Sequence, residues 1–386
     1  QTNDFGDLTF RNQFYINLEE LRGKRAEIVS LADMSPTAAL AQASSQTVDG
    51  LAYRYALKML NPFVALGVDY QTLHNQDGSL DLYDAQTGKG AWTLVALSDR
   101  AELLANSNEF NINDGEFFSA LGSNTRFVDM QTGFEFGSTL TNEKDVIFGD
   151  NRVGDVLVGR GGDDHLYGGD GADTIEGNDG RDYIEGNGGN DSLLSGGSGN
   201  DIILGQEGND YLDGGVDDDR LNGGLGDDHL LGGLGIDRYV YFSGQGLDRI
   251  IDSDRFGSIV FDGRTLTGGV RPTGDSAGSY RSSDGYFKYV RSGDDLIVND
   301  VLTIENFDFA NGMLGIYLAD ATGMPTGQLA NVVYDRTISG GGFVHDGLTN
   351  VLNDQVFGGG GRDIVEGGGG RDALYGGDGD DLLIDF

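Results

Sequence analysis

The stretch GGDGADTIEGNDGRDYIEG, residues 168–186, contains the pattern Gly-x-x-Gly-x-Asp-x-Ile-Glu twice in succession. From Gly159 to Val240 this nine-residue pattern recurs nine times, with one extra residue, Ser195, after the fourth unit. Three more units run from Gly358 to Ile384. Repetition at a fixed period is the signature of a solenoid, in which each unit packs on its neighbours.

Two positions of the unit are nearly fixed. The sixth residue is Asp in every full unit: Asp164, Asp173, Asp182, Asp191, Asp201, Asp210, Asp219, Asp228, Asp237, Asp363, Asp372 and Asp381. The eighth residue is apolar or aromatic in every unit: Leu166, Ile175, Ile184, Leu193, Ile203, Leu212, Leu221, Leu230, Tyr239, Val365, Leu374 and Leu383. A disordered Gly/Asp tract is the alternative interpretation, and it predicts random residues at the eighth position. The pattern therefore favours a folded coil.

Each position of the unit has a physical reason. Three residues with an apolar one in the middle form a minimal strand with one inward side chain. The six residues before it form a turn, in which glycine supplies positive φ and close backbone approach. Two such units complete one coil, so that Asp173 lies over Asp191 and Asp164 over Asp182. Stacked carboxylates repel unless a cation lies between them, and carboxylate and carbonyl oxygens form the ligand set that Ca²⁺ prefers.

The pattern Gly-Gly-x-Gly-x-Asp-x-apolar-x resembles the nonapeptide of the repeats-in-toxin (RTX) family, which folds as a calcium-loaded parallel β-roll. By this resemblance the metal ligands are the twelve sixth-position Asp side chains named above and the carbonyl groups of the glycine turns. We place those carbonyls at Gly159, Gly168, Gly177, Gly186, Gly196, Gly205, Gly214 and Gly223. Because units i and i+2 share an ion, we expect about eight calcium ions, each with a Kd of roughly 10⁻⁴–10⁻³ M.

Two units depart from the pattern. Asp217 replaces the glycine at the fourth position of its unit. Aspartate tolerates left-handed backbone geometry better than most residues, so we expect this turn to survive with a weaker site. Ser195 inserts one residue, and we expect a bulge that spoils one ion position.

The charge of the chain excludes some partners and favours others. With 25 basic against 63 acidic residues, the net charge is −38, which repels nucleic acid and anionic membrane surfaces and attracts cations. The repeats from Gly159 to Val240 contain 19 acidic and 4 basic side chains. Without calcium we therefore expect this segment to be disordered, and with extracellular calcium we expect it to fold.

Several features bear on the compartment. The chain has no cysteine and no run of 18 apolar residues that could span a bilayer. Its first residues, QTNDFGDLTF, lack the basic and apolar regions expected of a secretory signal. Its start lacks Met, which suggests a fragment or a processed chain. The RTX resemblance implies a bacterial extracellular protein that is exported unfolded by the type I secretion machinery, as the C-terminal part of a larger exoprotein.

We divide the chain into four domains of a mainly β protein. The predicted order is a small α/β (α+β) domain at 1–140, the calcium-loaded parallel β-roll at 141–240, a β-rich cap domain and linker at 241–347, and a second RTX array at 348–386. In the cap, the segments SIVFDG, YFKYVR, DLIVND, LTIENF and LGIYLA alternate apolar and polar residues and predict short strands.

The first domain carries helix signals. Ser35 and Pro36 predict a helix start, and Leu51, Tyr55 and Met59 predict an amphipathic helix that ends at Asn61-Pro62. LSDRAELLANS predicts a third helix capped by Ser98, whereas SLDLYD and AWTLVAL predict strands. The region loosely resembles the segment that joins a hydrolase domain to its RTX tail in lipase-like exoproteins.

Catalytic motifs are weak. GDSAG, residues 274–278, matches the Gly-x-Ser-x-Gly elbow of serine hydrolases, but its flanks lack the required strand and helix, so we expect Ser276 in a surface loop. We expect His165 and His229 to face solvent and His74 to lie in a turn between strands. The main hypothesis is a non-catalytic calcium-binding RTX module of a secreted toxin, adhesin or hydrolase. The alternative is part of a secreted lipase or phospholipase with catalysis in this chain or upstream of it.

Overall fold

The computed structural model describes residues 27–110 except 32, 125–136 except 132, 142–320 except 272, 273, 283, 284 and 311, and short strands between 332 and 385. The chain divides into two compact units. The first is Gln1–Gly215 with Asn222–Asp228, and the second is Val216–Leu221 with His229–Phe386.

Four helices form one layer of the first unit. They are α1 (Pro36–Ala43), α2 (Val48–Lys58), α3 (Tyr70–His74) and α4 (Leu94–Phe110). The predicted start of α1 is confirmed, since the Ser35 side chain accepts a hydrogen bond from the Ala38 N–H at 3.2 Å. The predicted amphipathic helix is confirmed as α2, which Thr47 caps through the Gly50 N–H at 3.2 Å.

Two predictions in this layer are wrong. AWTLVAL is not a strand, because α4 already begins at Leu94, and Ser98 therefore lies inside the helix. Thr93 supplies the cap, since its hydroxyl accepts the Ala96 N–H at 3.1 Å. The strand prediction was based on alternating apolar and polar residues. The Thr93 hydroxyl, which caps the first turn of the helix, favours helix over strand here. SLDLYD forms only isolated bridges.

The strands within the described residues follow the repeat. They are β1 (Glu27–Ser30), β2 (Phe63–Leu66), β3 (Arg126–Asp129), β4 (Phe134–Phe136), β5 (Asp145–Phe148), β6 (Val156–Gly161), β7 (His165–Gly169), β8 (Thr174–Asp179), β9 (Tyr183–Gly188), β10 (Leu193–Ser198), β11 (Ile202–Glu207), β12 (Tyr211–Val216), β13 (Arg220–Leu225), β14 (His229–Leu234), β15 (Asp237–Tyr241), β16 (Asp248–Ile251), β17 (Gly257–Phe261), β18 (Arg264–Thr265), β19 (Gly268–Arg271), β20 (Ser279–Arg281), β21 (Lys288–Ser292), β22 (Asp295–Val298), β23 (Leu302–Ile304), β24 (Tyr317–Asp320), β25 (Val332–Tyr334), β26 (Phe343–His345), β27 (Gln355–Phe357), β28 (Ile364–Gly368), β29 (Ala373–Tyr375) and β30 (Leu382–Asp385).

In the first unit, successive strands alternate between two parallel sheets. One sheet contains β6, β8 and β10 in that order, and the other contains β3, β5, β7, β9 and β11, with β4 antiparallel at its edge. Leu157 pairs with Ile175 and Leu166 with Ile184, which confirms that residues 18 apart stack. Two nine-residue units thus complete one coil of a mainly β, parallel solenoid.

The core of the solenoid is a row of single apolar side chains. The eighth-position residues are at most 2% exposed: Leu166, Ile175, Ile184, Ile203, Leu212, Leu221, Leu230 and Tyr239. The fourth unit is the exception, since Leu194 pairs with Ile175 and is buried, whereas Leu193 pairs with Thr174. The extra residue therefore lies at Ser192–Leu193 and not at Ser195, because burying Leu194 keeps the apolar row continuous.

In the second unit the parallel ladder passes into an antiparallel sheet. β14 pairs with β16 and β16 with β23, both in parallel. β22, β21, β20 and β19 then follow in antiparallel pairs. The five predicted cap strands are confirmed as β17, β21, β22, β23 and β24.

The second array repeats the two-sheet arrangement within the second unit. β25, β27 and β29 form one parallel sheet, and β26, β28 and β30 form another. Val356 pairs with Leu374 and Val365 with Leu383, again 18 residues apart. Asp363, Asp372 and Asp381, the predicted ligands of this array, lie outside the described residues.

The helices of the first unit pack on the sheet that contains β5, β7 and β9. Phe127, Val146, Phe148 and Tyr167 share one hydrophobic cluster with residues of α1, α2 and α4. The Thr93 hydroxyl donates to Glu185 Oε1 at 2.5 Å. Side chains on the outer face of this sheet, which point away from the core of the roll, therefore contact the helices.

Candidate calcium-binding turns

Eight of the nine turns in the first array contain two residues with left-handed backbone geometry, and the turn with Gly171 at its fourth position contains one. At the fourth position Gly180, Gly189 and Gly208 have φ of 142°, 114° and 137°. Asp217 occupies the same position with φ 78°, so the turn with the substituted residue keeps its left-handed geometry as predicted. The second position is also left-handed, and it is filled by glycine or by Arg160, Asn178, Asn187 and Gln206. Glycine fills this position in five of the nine units and Asn in two, and this was the signal that sequence reasoning missed, since both residues tolerate positive φ.

The sixth-position aspartates form two buried rows, one along each side of the roll. Every one from the first array is at most 2% exposed: Asp164, Asp173, Asp182, Asp191, Asp201, Asp210, Asp219, Asp228 and Asp237. Ionised carboxylates are almost never fully buried unless they are paired with a cation or a metal. Asp145 is buried in the same way one coil earlier.

One oxygen of each carboxylate, Oδ1, accepts a backbone hydrogen bond from the preceding coil. Asp182 Oδ1 accepts the backbone N–H of Asp164 at 2.8 Å, and Asp191 Oδ1 accepts that of Asp173 at 2.8 Å. The same bond recurs at 2.6–3.0 Å from the N–H of Asp145 to Asp164, Asp155 to Asp173, Asp182 to Asp201, Asp191 to Asp210, Asp210 to Asp228 and Asp219 to Asp237. The single-residue insertion leaves these bonds intact.

The other oxygen is buried and has no hydrogen-bond partner within the described residues. This is the case for Oδ2 of Asp164, Asp173, Asp182, Asp191, Asp210 and Asp237. A buried acceptor without a partner costs about 1–3 kcal/mol, and a charged one costs more. A row of such oxygens is the pattern expected where a cation supplies the missing partner.

Glycine carbonyls lie beside these oxygens. A Cβ added to Gly186 would lie 2.0 Å from Asp191 Oδ2 and 2.8 Å from the carbonyl oxygen of Gly205 in the next coil. At Gly168 the corresponding distances are 2.2 Å to Asp173 Oδ2 and 2.7 Å to the Gly186 carbonyl oxygen. The eight predicted first-position glycines are all buried. Any side chain larger than that of glycine would fill the space beside the first-position residue. An aspartate Oδ2 and a glycine carbonyl oxygen border this space.

The described residues contain no group of three or more Asp, Glu, His or Cys side chains that could hold a metal ion by themselves. A cation between two coils would therefore take most of its ligands from backbone carbonyls. Carbonyl and carboxylate oxygens together are a hard ligand set that fits Ca²⁺ with six to eight ligands.

Burial raises the pKa of these carboxyl groups. The pKa reaches about 7 for Asp164, about 6 for Asp182 and about 8 for Asp191, chiefly because burial disfavours the charged form. It is about 7 for Asp210 and Asp237, for the same reason. A cation that favours the charged form would reverse this shift.

A family model for the RTX calcium-binding nonapeptide repeat matches residues 158–193, 193–221, 205–239 and 349–383. The chain carries RTX calcium-binding repeats. These RTX repeats bind calcium, and their parallel two-sheet coil is consistent with an RTX β-roll. Among curated proteins, none matches the chain. No helix in the described part of the chain is long and apolar enough to cross a membrane.

The other candidate residues lie apart from the RTX turns. Ser276 is exposed in a loop, as predicted. His229 is exposed, as predicted, but the prediction for His165 is wrong, because its Nδ1 lies 2.6 Å from Asp99 Oδ2 under α4. His74 ends α3 and its ring lies 4.3 Å from that of Tyr55, so it is not in a turn between strands.

Proposed function

We propose that the RTX repeats of the first array bind Ca²⁺ between successive coils and that the roll folds only when the ion is present. The ligands would be the sixth-position carboxylates and the first-position glycine carbonyls named above. The observation that supports this most directly is the row of buried Oδ2 atoms without a partner, of which Asp191 and Asp210 are examples. Within the described residues no group of the protein compensates these oxygens, and a bound cation would do so.

The charge balance explains why folding would depend on the ion. The first array has 19 acidic and 4 basic side chains, and its core is one small row of apolar residues. That core cannot offset both the repulsion of buried carboxylates and the conformational entropy of so many glycines. Calcium that binds only the folded form contributes its binding free energy to folding.

The proposed consequence is a switch that is set by the compartment. In a cytosol poor in calcium the repeats stay unfolded, which suits export by a type I secretion machinery. In an exterior with millimolar calcium they fold, and the antiparallel strands β19–β22 end the parallel ladder in the second unit. We infer that the module is extracellular and stabilises a larger secreted toxin, adhesin or hydrolase.

The test is a calcium titration of the chelated full chain, followed by far-UV circular dichroism, with magnesium as the control ion. We expect a cooperative gain of β signal with calcium and none with magnesium, since Mg²⁺ requires a smaller octahedral site and gives up its waters reluctantly. A spectrum that ignores calcium would contradict the proposal. Metal analysis of the folded protein should give about eight bound ions if units i and i+2 share each one.

A further inference from the structure

A pocket of about 90 Å³ lies in the first unit, between the helical layer and the β-roll. Trp92, Phe148 and Tyr167 give it aromatic walls, and Lys58 and Arg100 give it two cationic groups. The RTX turns do not use these side chains. The lining also includes one acidic residue, Asp170, so the pocket has two cationic groups and one carboxylate.

Arg100 is a buried residue of the pocket lining, and its Nε–H donor has no acceptor within the described residues. The residue is 5% exposed and its guanidinium lies over the Phe148 ring at 3.9 Å from the centroid. One terminal nitrogen, Nη1, forms an ion pair with Asp129. Its Nε–H has no hydrogen-bond partner within the described residues. A buried cationic donor in this position is stabilised when a ligand supplies an acceptor.

Lys58 is the second cationic group, and its ammonium is poorly solvated. Its one direct hydrogen bond within the described residues is a long one, to the Ser79 carbonyl oxygen at 3.4 Å. Burial lowers the pKa of Lys58, the carboxylates of Asp170 and Asp77 oppose that shift, and the positive charge of Arg100 adds to it. Asp170 also lines the pocket, and its carboxylate attracts the Lys58 ammonium more strongly than Arg100 repels it. The donor that lacks an acceptor within the described residues is therefore Arg100 Nε–H, with the Lys58 ammonium as the second cationic group.

The remaining polar lining and the volume limit the ligand further. The amide side chains of Gln131, Asn151 and Asn187 border the pocket and can both donate to and accept from hydroxyl groups. At 10–15 Å³ for each water-sized position, the pocket holds roughly six to nine non-hydrogen atoms. A small compound fits, whereas a whole sugar chain or a peptide does not.

We propose that this pocket binds a small hydroxycarboxylate, with its carboxylate between Arg100 Nε and Lys58 Nζ and its hydroxyl groups on the bordering amides. The site borders the turns of the roll through Asp170 and Asn187, but none of its side chains is a proposed calcium ligand, and it does not depend on the ion count proposed above. It would give the module a second, organic ligand in the same folded state.

The experiment uses the full chain in saturating calcium and D-glycerate as the probe. Trp92 is the only tryptophan and lines the pocket, so its fluorescence reports binding, and calorimetry gives the affinity. Glycerol keeps the hydroxyl groups without the carboxylate, and propionate keeps the carboxylate without the hydroxyl groups. We expect glycerate to bind at least about tenfold more tightly than either, because each removes a set of hydrogen bonds.

Matched variants separate this site from general electrostatics. Lys58→Met keeps the length of the side chain and should weaken glycerate binding about tenfold. Lys89→Gln removes the same charge from an exposed residue and should change binding less than about twofold. Gln131→Ala, in an exposed loop, provides a second variant without a folding risk and should also weaken binding. Absence of glycerate binding, equal binding of glycerol, or equal losses in the two lysine variants would overturn the proposal.

Discussion

At the scale of the residue, the two oxygens of each sixth-position aspartate have different surroundings. Oδ1 of Asp191 accepts the Asp173 N–H, whereas its Oδ2 is buried beside Gly186 without a partner. The sequence alone predicted which aspartates would stack, and the hydrogen bonds between coils confirm that stacking. The cation between the stacked carboxylates stays a prediction. The sequence could not predict the hydrogen bond between coils, because the position of a carboxylate within the turn depends on backbone geometry that the repeat pattern does not encode.

Asp191→Ala should raise the calcium concentration needed for folding far more than Asp179→Ala. The first change removes a proposed ligand and leaves the Asp173 N–H without its acceptor, a loss of about 1–3 kcal/mol. Asp179 is exposed and accepts only a side-chain bond from Ser198 at 2.7 Å, so its loss should cost less than about 0.5 kcal/mol. Calcium titration by circular dichroism measures both. Equal midpoints would show that the assignment of the ligand position is wrong.

Mild acid should lower the calcium concentration that the roll needs to fold. In the folded roll the pKa is about 7 for Asp164 and about 8 for Asp191, above the ordinary value of 3.8. Protonation therefore stabilises the folded roll fully below pH of about 4, and this contribution is lost as the pH rises through 6–8. At pH 6 protons still neutralise part of the buried charge that only calcium neutralises at pH 8, so we expect a lower calcium midpoint at pH 6 than at pH 8. Circular dichroism titrations at the two pH values measure both midpoints, and identical midpoints would contradict the assignment of these buried carboxyl groups.

At the scale of the element, the turn is defined by where left-handed residues fall. The nine-residue pattern identified the glycine positions and the strand that follows them. It placed the inserted residue wrongly, because Leu193 and Leu194 are equally apolar and only the paired strand decides which one is buried. Likewise, a few alternating residues could not distinguish the start of α4 from a strand. The structure shows a helix there, which the Thr93 hydroxyl caps by accepting the Ala96 N–H.

Neighbouring glycines of one turn should respond differently to substitution. At Gly189 φ is 114° and an added Cβ would lie 1.8 Å from the Gly171 carbonyl oxygen, so Gly189→Ala should destabilise the roll by more than about 1–2 kcal/mol. At Gly188 the nearest atom would be 3.7 Å away, so Gly188→Ala should be tolerated. Urea unfolding in calcium compares the two variants. A greater loss at Gly188 would be incompatible with the described turn.

At the scale of the whole molecule, composition and repeats predicted the mainly β solenoid and the cap strands. They did not predict that the helices would pack on the roll. The reason lies in residues such as Glu176 and Glu185, which hold the same ninth position of successive repeats. Glu176 is exposed, whereas Glu185 is fully buried and accepts hydrogen bonds from Thr93 and Gln206. A repeat pattern shows which positions face outward. It does not show which of these positions are covered by helices from another part of the chain.

Glu185→Ala should uncouple the helical layer from the roll, and Glu176→Ala should not. Removing the Glu185 carboxylate leaves the Thr93 hydroxyl and the Gln206 amide without their acceptor, at a cost of about 1–3 kcal/mol. With calcium added, circular dichroism should still report the roll in both variants. Trp92 fluorescence should report a loosened helical layer only in Glu185→Ala, and unchanged Trp92 emission there would count against the coupling.

The alternation of strands between two sheets also limits how such a chain can change in length. Deleting two units, 18 residues, leaves each later strand on its original side, because Leu157 pairs with Ile175 at that spacing. Deleting one unit moves every later strand of the array to the opposite sheet. A deletion before β9 would therefore take Glu185 away from the sheet on which the helices pack. Gene variants of this protein that gain or lose repeats should therefore do so in even numbers.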